Sequence, residues 1–245
     1  MWNCALDILS REVDNSLVGF SLLDFTQLYV SLKKVKTFFM RLKIYPDNPQ
    51  EKFIQQTVSA LEKGEVVVLP TDTIYCLAAD INKSKALENM AKIKGVSLKE
   101  ADFSFLFSDL SHLSDYTLQF DTHVYKVLKR GIPGPFTFVL RANKKVPKIF
   151  GRRKTTIGIR VPDNPIVKII IERLGHPLAT TSIKSDDSVV EYITDPELID
   201  EVYGPKVAHV VDGGFGGNEG STVVDLTDGV LEIIREGAGD ISKLS

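Results

Sequence analysis

Cysteine is scarce, with Cys4 and Cys76 the only two in 245 residues. Two thiols cannot build a disulfide framework or a cysteine-rich zinc module, so a reducing compartment, the cytoplasm, is expected. The four histidines (His112, His123, His176 and His209) stand far apart and form no HExxH pattern, so no metal held by protein side chains is expected. No apolar run approaches the roughly 18 to 20 residues that span a bilayer, and no membrane partner is expected. Asp7, Glu12, Asp14 and Asp24 argue against a secretory or transit peptide. The chain has no Gly-Lys dipeptide and hence no Walker A loop, and Gly213-Gly214-Phe215-Gly216-Gly217 lacks the third glycine at dinucleotide spacing. That cluster reads either as a flexible turn or as backbone able to approach a ligand closely.

Acidic side chains are missing from one long stretch. Between Asp121 and Asp163 lie 41 residues with eleven basic side chains and no carboxylate, which leaves 19 basic and 32 acidic residues for the rest of the chain. The formal net charge of −2 hides this segregation, which points to a local anionic partner. With 43% apolar residues the chain has enough hydrophobic material for a full core, and an ordered chain is expected.

Residues 1–39 lack a clean period, and residues 1–43 read as an N-terminal extension of unknown role or as sequence upstream of a true start near Met40; residues 44–245 read as one domain. Asn48 and Pro49 predict a helix start, Glu51 completes a capping-box spacing, and Ile54, Val58 and Leu61 share a face up to Gly64. Val66–Leu69 has the continuous apolar character of a strand buried on both sides. Further strands are expected over 103–107, 136–141, 156–161, 178–182, 207–212, 222–226 and 231–235. Helices are expected from Ser84 through Met90, Asp121 through Leu128, Asn164-Pro165 through Leu174, and Asp195-Pro196 through Tyr203. This interleaving predicts an α/β fold in which a large, twisted, mixed sheet is flanked by helices.

Chemistry-bearing residues cluster at strand ends. Pro70-Thr71-Asp72-Thr73-Ile74-Tyr75 follows a buried strand, where open α/β sheets bind ligands, although Thr and Asp also cap ordinary turns. Lys92 and Lys94 suit either an anion or the carboxyl end of a helix dipole. Arg160, set between Ile159 and Val161, is expected to be partly buried and therefore to need an anionic or carbonyl partner, whether a ligand or a structural carboxylate. Cys76 reads as a small apolar filler or as a redox-sensitive thiol.

Seven motifs occur in order: Pro70-Thr71-Asp72-Thr73, Lys92-Ile93-Lys94, Pro133-Gly134-Pro135-Phe136-Thr137, Gly158-Ile159-Arg160-Val161-Pro162, Thr181-Ser182, Ser221-Thr222-Val223-Val224-Asp225 and Arg235-Glu236-Gly237. Together they resemble the YrdC/YciO family of threonylcarbamoyl-AMP synthase-like proteins, closest to its YciO branch. The resemblance implies a YrdC-like, RibB-like α/β fold. It also implies an enzyme that makes threonylcarbamoyl-AMP from threonine, bicarbonate and ATP for threonylcarbamoyladenosine formation in tRNA, with Mg²⁺ accompanying ATP and no tightly bound cofactor. On this basis Lys92, Lys94 and Arg160 are the catalytic candidates, and Thr71, Thr73, Tyr75, Thr137, Thr181, Ser182, Ser221 and Arg235 the ligand-binding ones. Lys126, Lys129, Arg130, Lys144, Lys145, Arg152, Arg153 and Lys154 are candidates for contact with tRNA or double-stranded RNA. The alternative is an RNA-binding protein with little or no synthase activity. Family synthases carry glycines where this chain has Cys76 and Ala78, an Asn where it has Lys184, and Lys-x-Arg where it has Lys92-Ile93-Lys94, which loses a planar fork for phosphate.

Overall fold

The computed structural model describes residues 41–150, 154–183 and 194–245. Alternation along the strands sets the architecture. In β5 (Phe136–Arg141) and β6 (Thr156–Arg160), Phe136, Phe138, Leu140, Ile157 and Ile159 point into one core, while Thr137, Val139, Thr156, Gly158 and Arg160 point to the other side. Eight strands form one mixed sheet in the order β10-β9-β5-β6-β4-β7-β3-β2. Its members are β2 (Val67–Leu69), β3 (Cys76–Asp80), β4 (Ser104–Leu106), β5, β6, β7 (Leu178–Ser182), β9 (Thr222–Asp225) and β10 (Glu232–Arg235). The β4–β6 and β5–β9 pairs are parallel and the others antiparallel. A separate parallel pair joins β1 (Leu42–Lys43) to β8 (Val211–Asp212), so Leu42 and Lys43, on the extension side of the expected boundary, are hydrogen-bonded partners of β8.

Helices cover the sheet unequally. α2 (Ser84–Lys94), α3 (Thr122–Gly131) and α4 (Lys145–Phe150) pack Leu87, Met90, Val127, Leu128, Val146 and Phe150 into the larger core on one face. On the other face, α1 (Glu51–Glu62) and α5 (Pro165–Leu174) bury Ile54, Val58, Leu61, Ile166 and Ile170 against Leu69, Ala78 and Leu178 at the β2–β3–β7 side. α6 (Pro196–Tyr203) precedes β8 and buries Ile199 in the larger core. The part of this second face over β4, β6, β5 and β9 lies outside that core and carries small and polar side chains.

Local departures from the expected elements have physical causes. Asn48 is held in a turn by its N–H to the Tyr45 carbonyl, so α1 begins at Glu51 with Gln50 as N-cap. α2 runs past Met90 to Lys94 and stops at Gly95, whose φ of +81° is left-handed. The N-caps at Asp121, Asn164 and Asp195 each accept backbone N–H bonds as their sequence positions predict. The strand expected over 207–212 shortens to β8 because Gly204–Lys206 forms a 3-10 turn, although Ala208 and His209 still bond along β2. β3 was not expected, since Cys-Leu-Ala-Ala-Asp has weak strand propensity, and pairing on both sides by β2 and β7 fixes it.

Candidate functional site

The outward-facing alternate residues line a cleft of about 660 Å³ across the sheet. From β3 to β10 its floor and walls include Cys76, Thr180, Ser104, Gly158, Thr137, Val223 and Arg235. Side-chain size makes this space. A Cβ on Gly158 would lie 2.7 Å from Ser104 Oγ and 3.2 Å from a Thr137 methyl, so only glycine leaves the floor open.

Arg160 ends β6 and is 8% exposed. Its Nη2 donates to Thr73 Oγ1 (2.7 Å), to Thr71 Oγ1 (3.2 Å) and to the Asp72 carboxylate. The Thr71–Thr73 turn that presents these oxygens is itself tied down. Thr71 Oγ1 accepts from Thr73 N–H (3.1 Å) and donates to the Ile74 carbonyl (2.8 Å), and Asp72 Oδ2 accepts from Asp163 N–H (3.1 Å). The structural carboxylate that a buried arginine needs is therefore Asp72. Arg160 Nε is buried and has no hydrogen-bond partner among the described residues. An unsatisfied buried donor of this kind costs about 1–3 kcal/mol, and a ligand oxygen would relieve it.

At the same strand end, Thr137 Oγ1 and Ser221 Oγ are 2.8 Å apart, both buried, and Arg235 Nη2 donates to the Ser221 carbonyl (2.7 Å). Gly237 makes that approach achievable, because a Cβ there would stand 2.2 Å from the Gly220 carbonyl oxygen. At the opposite end, Lys94 Nζ donates to the Ser182 carbonyl (2.8 Å), and Thr181 and Ser182 line the cleft. The structure thus gathers Thr73, Thr137, Arg160, Thr181, Ser182, Ser221 and Arg235 around one cavity, with Thr71 behind Arg160 and Lys94 behind Ser182.

Other expected site residues stand elsewhere. Lys92 is exposed on the last turn of α2 and does not line the cleft. Tyr75 is fully buried, with its hydroxyl donating to the Gly214 carbonyl (2.6 Å) and accepting from Gly213 N–H (3.1 Å). Burial pushes this phenol up, so it stays a neutral donor that holds the glycine-rich loop. Gly217 N–H completes the anchorage on the Thr73 carbonyl (2.7 Å), so that loop is a fixed rim. Burial also pushes the Cys76 thiol up, which favours the filler reading over a reactive thiol.

The basic window divides. Lys126, Lys129 and Arg130 are exposed on α3, and Lys144 and Lys145 are exposed at the start of α4, in the helical layer on the far side of the sheet from the cleft. Lys154 instead lines the cleft, and Arg152 and Arg153 lie outside the described residues, as does Lys184. Ser104 and Thr156 were missed by sequence reasoning. Their signal is the alternation of small polar with large apolar residues, as in Thr156-Ile157-Gly158-Ile159-Arg160. Among the described residues no group of three or more His, Cys, Asp or Glu side chains could hold a metal ion, and no helix is long and apolar enough to cross a membrane.

Comparison with known proteins places this cleft in a family. YciO of Escherichia coli strain K12 is 37% identical over 199 residues, covering 81% of this chain and 95% of that protein. A crystal structure of E. coli YciO superposes with a TM-score of 0.76 at 36% identity, covering 84% of this chain and 99% of that one. The threonylcarbamoyl-AMP synthase of Bos taurus is 31% identical over 195 residues, covering 75% of this chain and 67% of that protein. A family model for Sua5, YciO and YrdC proteins, described as "Telomere recombination", matches residues 59–237, across every strand of the cleft. With sequence, fold and cleft in agreement, the chain belongs to the Sua5/YciO/YrdC family.

Proposed function

We propose that the chain is a threonylcarbamoyl-AMP synthase-like enzyme acting in tRNA modification, with threonine, bicarbonate and ATP as substrates. The observation that carries this reading is Arg160: a guanidinium positioned by Thr71, Asp72 and Thr73, with a buried Nε still to be satisfied, in a cleft otherwise lined by hydroxyls. The similarity to the bovine synthase supports the choice of reaction. Threonine's amine takes up carbon from bicarbonate with loss of water, and an oxygen of the resulting carbamate forms a bond to the ATP α-phosphorus. The bond from that phosphorus to the bridging oxygen breaks, and the electron pair leaves with pyrophosphate. No side-chain nucleophile is needed, so the protein contributes positioning and fixed positive charge. Thr73, Thr137 and Ser221 would hydrogen-bond oxygens of the amino acid or phosphate, and Mg²⁺ would accompany ATP to offset phosphate charge.

A second reading, RNA binding, is favoured by the exposed cations of α3 and α4. The two readings use different faces of the sheet and are compatible. Incubation with ATP, threonine and bicarbonate is expected to yield threonylcarbamoyl-AMP and pyrophosphate in equal amounts. Arg160→Met is expected to lower the rate at least a hundredfold, and absence of product from folded wild-type protein overturns the synthase reading.

A further inference from the structure

A second cavity, of about 700 Å³, opens where β4 and β6 end. These strands run parallel, and the segments that follow them, residues 108–111 and 161–164, form two of its sides. Open α/β sheets take ligands in crevices outside the carboxyl ends of their strands. Among the described residues this cavity has no lining residue in common with the cleft. Its walls are held by backbone donors: Gly134 N–H to the Val161 carbonyl (2.9 Å), Asp163 N–H to Asp72 Oδ2 (3.1 Å) and Ser111 N–H to Asp109 Oδ1 (2.7 Å). A ligand therefore meets a space that is already formed, which lowers the cost of ordering it.

The lining is divided in character. Leu110, Ile132, Pro133 and Pro162 supply apolar walls, and Tyr125 on α3 adds a planar ring that is 43% exposed. Lys129, one turn further along α3, has its Nζ 5.9 Å from the centre of that ring, and Lys168 on α5 also lines the cavity. Glu172, 3.9 Å from Lys168 and half exposed like it, is a weak partner. Asp109 and Asp163 line the cavity as well, so a bare polyanion is a poor fit. An aromatic face with apolar walls and two cations suits a single nucleotide, its base on the ring and its phosphates on the ammonium groups. Lys129 is at once part of the cavity and of the exposed cations of α3, beside Lys126 and Arg130, so the cavity is continuous with the basic layer.

We infer that this cavity receives one unpaired base of an RNA whose backbone lies along the α3 cations, with Tyr125 as the stacking platform and Lys129 and Lys168 on the flanking phosphates. This assignment rests on the RNA-binding reading and adds to it a contact that a fully paired duplex cannot make, because a base inside a helix cannot reach Tyr125.

The test is equilibrium binding of three short RNA duplexes to the full chain: one fully paired, one with a single bulged adenosine, and one with an abasic ribose in place of that adenosine. The wild-type protein is expected to bind the bulged duplex at least fivefold more tightly than the abasic one, a difference that backbone charge alone cannot produce. Tyr125→Ala is expected to bring that ratio below twofold while changing affinity for the paired duplex less than twofold, and Tyr125→Phe to keep it. Lys168→Ala is expected to weaken the bulged duplex at least threefold more than the paired one, and its half-exposed side chain makes it the safer variant should Tyr125→Ala not fold. Equal binding of bulged and abasic duplexes overturns the inference and leaves RNA binding standing. So does a wild-type preference that survives in both Tyr125→Ala and Lys168→Ala, which places the base elsewhere. If the wild-type protein binds none of the three duplexes, the RNA-binding reading falls and the inference with it.

Discussion

A sheltered ion pair and a buried histidine set conditions on the folded state. Arg160 and Asp72 are each about one-tenth exposed, and Asp72 also accepts from Asp163 N–H, so the carboxylate joins the Thr71–Thr73 turn to the segment after β6. Removing one partner from a sheltered pair leaves the other charge without compensation, which is far more harmful than losing a surface pair. Asp72→Asn is expected to lower unfolding free energy by about 3 kcal/mol in urea titrations at pH 7. A loss below about 1 kcal/mol would mean that water already screens the pair. His209 behaves oppositely, because it is buried without charge. Thr57 donates its hydroxyl to the Phe53 carbonyl, so its oxygen accepts from His209 Nε2–H at 3.1 Å, and burial pushes the imidazole down to about 4 from 6.5. The unfolded chain therefore takes up the proton first as pH falls. Stability from this group is present above pH 6.5 and is lost progressively between 6.5 and 4, by about 3 kcal/mol in all. His209→Gln is expected to flatten that part of the stability–pH curve, and an unchanged slope would assign the acid sensitivity to other groups.

Strand alternation decides which parts of the molecule could be read in advance. β5 and β7 have the expected bounds, Phe136–Arg141 and Leu178–Ser182, and each follows a legible break in the chain, the Pro133-Gly134-Pro135 turn before β5 and the left-handed Gly175 that ends α5 before β7. β3 was hidden because alanines reveal little of a pleated surface until β2 and β7 pair with it. In the site, Arg160, Thr73, Thr137 and Ser221 were legible as hydroxyls and a cation at strand ends. Tyr75 and Lys92 share those motifs but point elsewhere, and spacing along a loop or helix end does not fix a side chain's direction. Lys154 was misplaced among surface cations because charge counting carries no register. The alternation also makes the cleft floor a property of β6 as a unit. Gly158→Val would fill it by several methyl-sized groups against Ser104 and Thr137 while leaving the core-facing Ile157 and Ile159 in place. Ligand binding is expected to fall at least thirtyfold with a stability loss of roughly 1–3 kcal/mol, the usual range for overpacking. Calorimetric binding alongside denaturant unfolding separates the two, and retained affinity would remove Gly158 from the ligand's path.

At the scale of the whole molecule, the segregated charge serves two faces of one sheet. Arg160 and Lys154 turn into the cleft, whereas Lys126 and Lys129 on α3, and Lys144, Lys145 and Lys148 at α4, are exposed in the opposite helical layer. The rest of the chain carries 19 basic and 32 acidic residues, so under the proposed RNA-binding reading the basic layer is the surface expected to meet the nucleic acid. Each lysine–phosphate contact releases condensed counterions and adds roughly 0.9 to the slope of log affinity against log salt, a relation calibrated on duplex DNA. Replacing Lys144, Lys145 and Lys148 with alanine is therefore expected to weaken double-stranded RNA binding and to reduce that slope by about 2 to 3. Lys126→Ala with Lys129→Ala should reduce it by about 2. Sequence changes in the RNA should alter neither result, since backbone contacts carry no base information. An unchanged slope in both variants would show that these cations are a solvated face, and RNA recognition would then have to be sought on another part of the surface.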